Sequence, residues 1–231
     1  MKYCWIIILG ILIFSSQAVG QEKDAPKTPK DKVSYVIGMD IGTNLKKQGI
    51  DINPDVVLKG IKDGLSGNKP LLSEKEMNDT VAAFEKEMKS KQEEKVKQAG
   101  EKNKKEGETF LAENKKKEGV ITLPSGLQYK VMKKGSGKKP KATDTVTTHY
   151  KGTLIDGTEF DSSYKRGQPV SFPVGGVIPG WTEALQLMEE GTKWQLFIPP
   201  QLAYGERGAG PIGPNATLVF EVELISIQEK K

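Results

Sequence analysis

The first apolar feature of the chain is a nearly unbroken run from Trp5 to Phe14, preceded by Lys2. From Asp31 the pattern becomes helical, with Val33, Ile37, Ile41 and Leu45 recurring every fourth residue and Val36 widening the stripe. A second helix is announced by Asn53 as cap and Pro54 at its first position. Its apolar face is Val57, Leu58, Ile61 and Leu65, and Gly64 with Gly67 ends it. Ser73 and Glu76 then form the capping-box pair of a third helix, which meets almost no breaker before Glu118. At 1.5 Å per residue it would extend roughly 65 Å. Its apolar positions cluster early: Met77, Val81, Phe84 and Met88 have the spacing of a coiled-coil seam. Beyond Met88, Lys and Glu dominate, and Gly100 and Gly107 each weaken a helix by about 1 kcal/mol relative to Ala. The pattern predicts a packed first half and a solvated, pliable continuation; a charged linker that is only partly helical is the alternative.

After Gly119 the period shortens to two. Residues 121–131, 145–154, 194–198 and 218–227 read as strands separated by Gly/Pro clusters. The stretch 218–224 alternates as a sheet with one covered face does. One short helix interrupts them over 181–188, with Trp181, Leu185 and Met188 on one face. The second half is therefore α+β, an antiparallel sheet wrapped on a short helix, preceded by an all-α region. The resulting division is a signal peptide at 1–20, a disordered leader at 21–30, a helical dimerisation region at 31–88, a charged helical linker at 89–118 and a globular domain at 119–231.

Composition narrows the chemistry. The 231 residues hold one Cys and one His, which rules out a disulfide framework within one chain, a Cys-based zinc site and a His-rich metal site. The most Lys-rich stretch, residues 73–118, has as many acidic as basic side chains and is neutral. A phosphate-binding face needs unopposed cations, so nucleic acid is not an expected partner. The first 20 residues have the secretory pattern of a basic start, an apolar run and small residues (Ala18, Gly20) before a cut at Gln21. The apolar run is shorter than the roughly 20 residues a membrane span needs, and an uncleaved anchor is the alternative. Cleavage would remove Cys4 and leave a cysteine-free exported protein. The two short helices and the start of the third hold too few apolar residues for a monomeric core, and oligomerisation is a usual remedy. Two chains exchanging the faces of residues 31–88 would form a homodimer, with the neutral rod holding the two globular domains apart.

Most aromatic residues of the second half sit beside turns. Five blocks follow one another: 149–152 (His-Tyr-Lys-Gly), 157–163 (Gly-Thr-Glu-Phe-Asp-Ser-Ser), 177–181 (Val-Ile-Pro-Gly-Trp), 202–205 (Leu-Ala-Tyr-Gly) and 216–220 (Ala-Thr-Leu-Val-Phe). In order and spacing they resemble FKBP-type peptidyl-prolyl cis-trans isomerases over about residues 119–229. The first half resembles the exported bacterial Mip/FkpA-like branch, in which a signal peptide, dimerising helices and a long connecting helix precede the catalytic domain. The resemblance implies a pocket with Trp181 as floor, and Tyr150, Phe160, Val177, Ile178, Tyr204, Ile212 and Phe220 as walls. Asp161 would be the carboxylate at its edge, and the Ile178 backbone N–H would receive a substrate carbonyl. Phe172, by contrast, reads as core. The loop before Val177 is shorter than in small single-domain relatives, and Val170 stands where those have a wall Phe.

The implied activity is X–Pro isomerisation during folding of envelope proteins, which needs neither cofactor nor metal. The implied partners are proline-containing unfolded or partly folded proteins, together with macrolide-type ligands of the pocket. The implied location is the periplasm, with association to the outer membrane. Readings from other classes are a non-catalytic dimeric chaperone and a surface interaction protein on the same scaffold. His149 has no partner for a catalytic dyad and reads as a structural neighbour of Tyr150.

Overall fold

The computed structural model describes residues 25–228. The apolar N-terminal run, the expected cleavage site and Cys4 lie outside them, as do the first four residues of the leader. The described residues fall into two compact units, one ending at Ser73 and one beginning at Glu74.

The first unit is a pair of helices, α1 (Pro29–Gln48) and α2 (Pro54–Ser66). Helix α1 starts two residues before Asp31, within the stretch read as a disordered leader. Thr28 and Asp31 form a capping box there: the Thr28 hydroxyl accepts from the Asp31 N–H at 3.1 Å, and the Asp31 carboxylate accepts from the Thr28 N–H at 3.3 Å. Gly49 in the left-handed region (φ 68°) ends α1. Asn53 caps α2 by accepting from the Asp55 and Val56 N–H groups, as the sequence predicts. Neither helix buries a residue. Ile41, Leu45, Ile50, Val57, Leu58 and Ile61 instead border an apolar groove of about 550 Å³.

The second unit begins with α3 (Glu74–Asn114) and continues as a seven-stranded antiparallel sheet. Its strands are β1 (Val120–Thr122), β2 (Gln128–Lys133), β3 (Thr145–Leu154), β4 (Glu159–Ser162), β5 (Val170–Pro173), β6 (Lys193–Ile198) and β7 (Leu218–Gln228). The order is β1-β2-β6-β7-β3-β4, with β5 on the free part of β3. The run read as one strand over 121–131 is two, because a turn at Ser125-Gly126 (φ 91° at Gly126) folds β2 back on β1. Strands β4 and β5, four residues each, are too short for their patterns to mark them. Helix α4 (Pro179–Leu187) covers one face of the sheet. Trp181, Ala184, Leu185 and Met188 meet Leu196, Ile198, Leu218, Phe220, Val222 and Leu224 in one core.

The largest departure from the sequence reading is α3. Its second half is not a solvated rod but part of the domain. Gly100, Gly107 and Asn114, seven residues apart, are buried on one face. A Cβ at Gly107 would lie 2.3 Å from Thr217 Oγ1, so the helix passes where only glycine fits. Asn103 Nδ2 donates to the Pro214 carbonyl at 2.8 Å, Phe110 packs on Phe197 at 5.9 Å, and Gln128 Nε2 donates to the Leu111 carbonyl at 2.9 Å. Asn114 closes the seam through Gln128 at 3.0 Å. In its first half, Met77, Val81 and Phe84 remain exposed.

Candidate active site

The site is built on the start of α4. Pro179 occupies the first helical turn, where its missing N–H costs nothing. Gly180 lets the backbone pass Ile198, whose Cγ2 would lie 2.6 Å from an added Cβ. Trp181, 4% exposed, is thereby set into the core. Three rings meet it edge-on: Tyr150 at 5.2 Å, Phe220 at 5.2 Å and Phe172 at 5.5 Å. Phe160 stands against Phe220 at 5.4 Å with planes 83° apart. Such edge-to-face pairs add about 0.5–1.5 kcal/mol each beyond the area they bury. The rings close in because β3 carries Gly152 between them: a Cβ there would meet Phe220 at 2.6 Å and Phe160 at 2.7 Å.

The result is a cavity of about 660 Å³. All nine residues singled out from the sequence line it: Tyr150, Phe160, Asp161, Val177, Ile178, Trp181, Tyr204, Ile212 and Phe220. Phe172, read as core, is the correction, since it lines the cavity while also packing on Trp181. The indole Nε1 of Trp181 is buried and has no hydrogen-bond partner among the described residues. The Ile178 N–H, at the N-cap of α4, makes no backbone hydrogen bond there either. The cavity thus offers an apolar interior with few donors.

Its polar edge is a cluster of three side chains. The Tyr150 hydroxyl donates to Asp161 Oδ2 at 2.6 Å. Arg166 pairs with Asp161 Oδ1 and donates through Nη2 to the Tyr150 oxygen at 2.7 Å, its guanidinium 5.4 Å from the Tyr150 ring centre. Partial burial pushes the Asp161 carboxyl up, but the hydrogen bonds from Tyr150 and Arg166 and the Arg166 charge outweigh it, so the pKa lies below the ordinary carboxylate value. The Tyr150 phenol is pushed up, first by burial and then by its bond to the Asp161 carboxylate, with Arg166 opposing. Arg166 went unnoticed in the sequence because it lies outside the five blocks that carry the family resemblance. Its place five residues after Asp161, across one tight turn, was the available signal.

His149 lies on the same strand as Tyr150, one residue out of phase. Its Nδ1 is 2.9 Å from Ser163 Oγ and its ring stacks on Tyr164 at 4.6 Å. Ser163 Oγ also accepts from the Tyr150 N–H at 2.8 Å. His149 therefore braces the strand and does not face the cavity, in keeping with the sequence reading.

Family comparison agrees with this geometry. Residues 30–131 match a family model described as the domain amino terminal to FKBP-type peptidyl-prolyl isomerase, and residues 136–225 match FKBP-type peptidyl-prolyl cis-trans isomerase. The chain belongs to the FKBP-type peptidyl-prolyl cis-trans isomerases. Within them it resembles the Mip and FkpA proteins. It is 50% identical over 230 residues to the "Outer membrane protein MIP" of Legionella longbeachae, covering 99% of this chain and 98% of that protein. It is 48% identical over 205 residues to the peptidyl-prolyl cis-trans isomerase Mip of Coxiella burnetii, covering 88% and 89% of the two chains. The crystal structure of FkpA from Escherichia coli superposes with a TM-score of 0.71 at 42% identity, covering 88% of this chain and 99% of that one. Among the described residues no helix is long and apolar enough to cross a membrane.

Proposed function

We propose that this isomerase accelerates rotation about X–Pro bonds in unfolded or partly folded proteins of the cell envelope, and that the nine cavity residues above carry the reaction. The observation behind this is the aromatic-lined cavity over Trp181, edged by one ion-paired carboxylate and with no Ser, Cys or His among its lining residues. Unaided, an X–Pro bond crosses a barrier of roughly 18–20 kcal/mol and takes tens to hundreds of seconds. At the top of the barrier the amide is twisted and has lost its resonance, and with it much of its carbonyl polarity. An apolar enclosure therefore disfavours the planar ground state relative to the twisted one. The proline ring sits over Trp181, the walls exclude water, and the Ile178 N–H holds a neighbouring substrate carbonyl. Asp161 and Arg166 keep the Tyr150 ring and hydroxyl in place. A protease-coupled or NMR exchange assay on an X–Pro peptide with the full mature chain tests this. Accelerated exchange supports it; a well-folded chain that leaves the exchange rate unchanged overturns it in favour of the non-catalytic chaperone.

Export rests on the secretory pattern of residues 1–20, and a periplasmic location associated with the outer membrane is supported by the name of the Legionella relative. Assembly into a homodimer through residues 31–88 is supported by the absence of any buried residue in α1 and α2 and by their apolar groove. Faces such as Val33 (60% exposed), Ile37 and Ile61 have no cover among the described residues. Sedimentation at micromolar concentration should show a dimer, and a monomer would refute the assembly.

A further inference from the structure

The loop of residues 205–215 walls one side of the cavity. Tyr204 stands at its base, and Ala209, Pro211 and Ile212 reach in from its tip. Paired hydrogen bonds between Ala209 and Ile212, at 2.8 and 2.9 Å, tighten that tip. At the neck the Asn215 N–H donates to the Gly205 carbonyl at 2.8 Å, joining the two ends. Asn215 has φ 54°, the one positive value at a non-glycine position among the described residues, and Asn tolerates that region better than most. The neck is thus a closed ring, with Tyr204 attached at one end and Ile212 three residues from the other.

What holds the neck is α3. Asn103 Nδ2 donates to the Pro214 carbonyl at 2.8 Å, bridging 111 residues of sequence. Beside it Asn215 Nδ2 lies 3.5 Å from the Gly100 carbonyl, and a Cβ at Gly100 would sit 3.4–3.5 Å from Asn215 and Pro214. One turn on, Gly107 lies against Thr217 at a distance no larger residue permits. None of these groups touches the cavity, yet Pro214 is only two residues from Ile212, which is 6% exposed in the cavity wall.

We propose that Asn103, together with the glycine face of α3, is a positioning element of the isomerase site. It pins the neck of the 205–215 loop and so fixes Ile212 and Tyr204 against the substrate's proline. The inference rests on the reading of the cavity as the isomerase site. Ile212 and Tyr204 would touch the proline ring in the planar and twisted states alike. Loosening them should therefore raise KM and leave kcat nearly unchanged. A helix that merely stabilised the domain would lower the melting point and leave KM alone.

The test uses the full mature chain, well below its melting temperature. Asn103→Ala should raise KM about five-fold, the effect of one lost hydrogen bond of about 1 kcal/mol, and shift the Ile212 methyl resonances in NMR. Gly107→Ala should act in the same direction and more strongly. Thr217→Ala alone should keep the parent's kinetics, and added to Gly107→Ala it should restore most of the loss. It removes the 2.3 Å contact, and the Thr217 hydroxyl it deletes has no hydrogen-bond partner among the described residues. A folded Asn103→Ala chain with the parent's KM and Ile212 resonances overturns the proposal, whatever its melting point. So does a Gly107→Ala chain that folds and is not rescued by Thr217→Ala. If Gly107→Ala does not fold, Asn103→Ala decides. A parent without isomerase activity would refute the reading of the site, and the Ile212 resonances of Asn103→Ala would still decide whether α3 places the loop.

Discussion

Replacing Asp161 with Ala separates the polar edge of the cavity from its aromatic lining. The change removes the 2.6 Å acceptor of the Tyr150 hydroxyl. A hydrogen bond to a charged group contributes about 1.5–3 kcal/mol when desolvated. The Asp161 side chain is 39% exposed, so water screens the bond and brings its worth to about 1 kcal/mol. Tyr150 keeps its edge contact with Trp181, and the fold should survive with a stability loss of about that size. If the anchored Tyr150 ring is what meets the twisted amide, the same free energy appears in the transition state as about a five-fold drop in kcat/KM. The measurement is X–Pro peptide isomerisation by the variant at several substrate concentrations, beside a urea titration. Tyr150→Phe removes the same bond from its other end, so the double variant should lose clearly less than the two single losses combined. A folded Asp161→Ala that turns over peptide at the parent's rate would refute the argument, as would losses that simply add.

Trp181→Ala should cost about 3–5 kcal/mol of stability, the range for a fully packed Trp, and abolish turnover; a denaturant titration measures the first and peptide exchange the second. Gly152→Ala should force Phe160 and Phe220 apart, costing about 1–3 kcal/mol and raising KM, both measurable in the same two experiments. Acid stability follows from Asp161. Its folded pKa is depressed, so its contribution is present above the unfolded value of 3.8 and is lost as pH falls through the folded value. Asp161→Asn should therefore lose less stability than the parent as pH falls below 4, which urea titrations at successive pH values measure. Two truncations should differ as well. A domain starting at Gly119 exposes Phe197 and strips Gln128 of both its α3 partners, so it should unfold at lower urea than one starting at Lys89, by about 2–4 kcal/mol.

The parts of this molecule that could be read in advance are those whose physics leaves a mark on residue type. Strands β3, β6 and β7 are half-buried ribbons, and their alternation fixes them almost to the residue. The cavity was legible because its rings stand beside the turns that hold them, in an order shared with a known family. The docking face of α3 left no such mark. It is made of Gly100, Asn103, Gly107, Phe110 and Asn114, of which only Phe110 is a large apolar residue, so it carries no apolar period. Glycines that ordinarily weaken a helix are here the reason it can pack. Phe172 was misplaced for a related reason: one face packs on Trp181 and another lines the cavity, so core and site are not exclusive. Strand β4 was hidden because three of its four residues are only half-buried and none alternates.

The bond between Tyr150 and Asp161 also has a bearing on where the protein can work. It moves two titrations in opposite directions: the carboxylate holds off its proton to lower pH, and the phenol keeps its proton to higher pH. Each shift is partly the other's doing, since the shared proton is most at home between them. The pair therefore keeps one protonation state across a wider span than either side chain would alone. A rotation that transfers no proton, beside an edge pair that resists titration from both sides, should keep its pace over a wider span of pH than either side chain alone would allow.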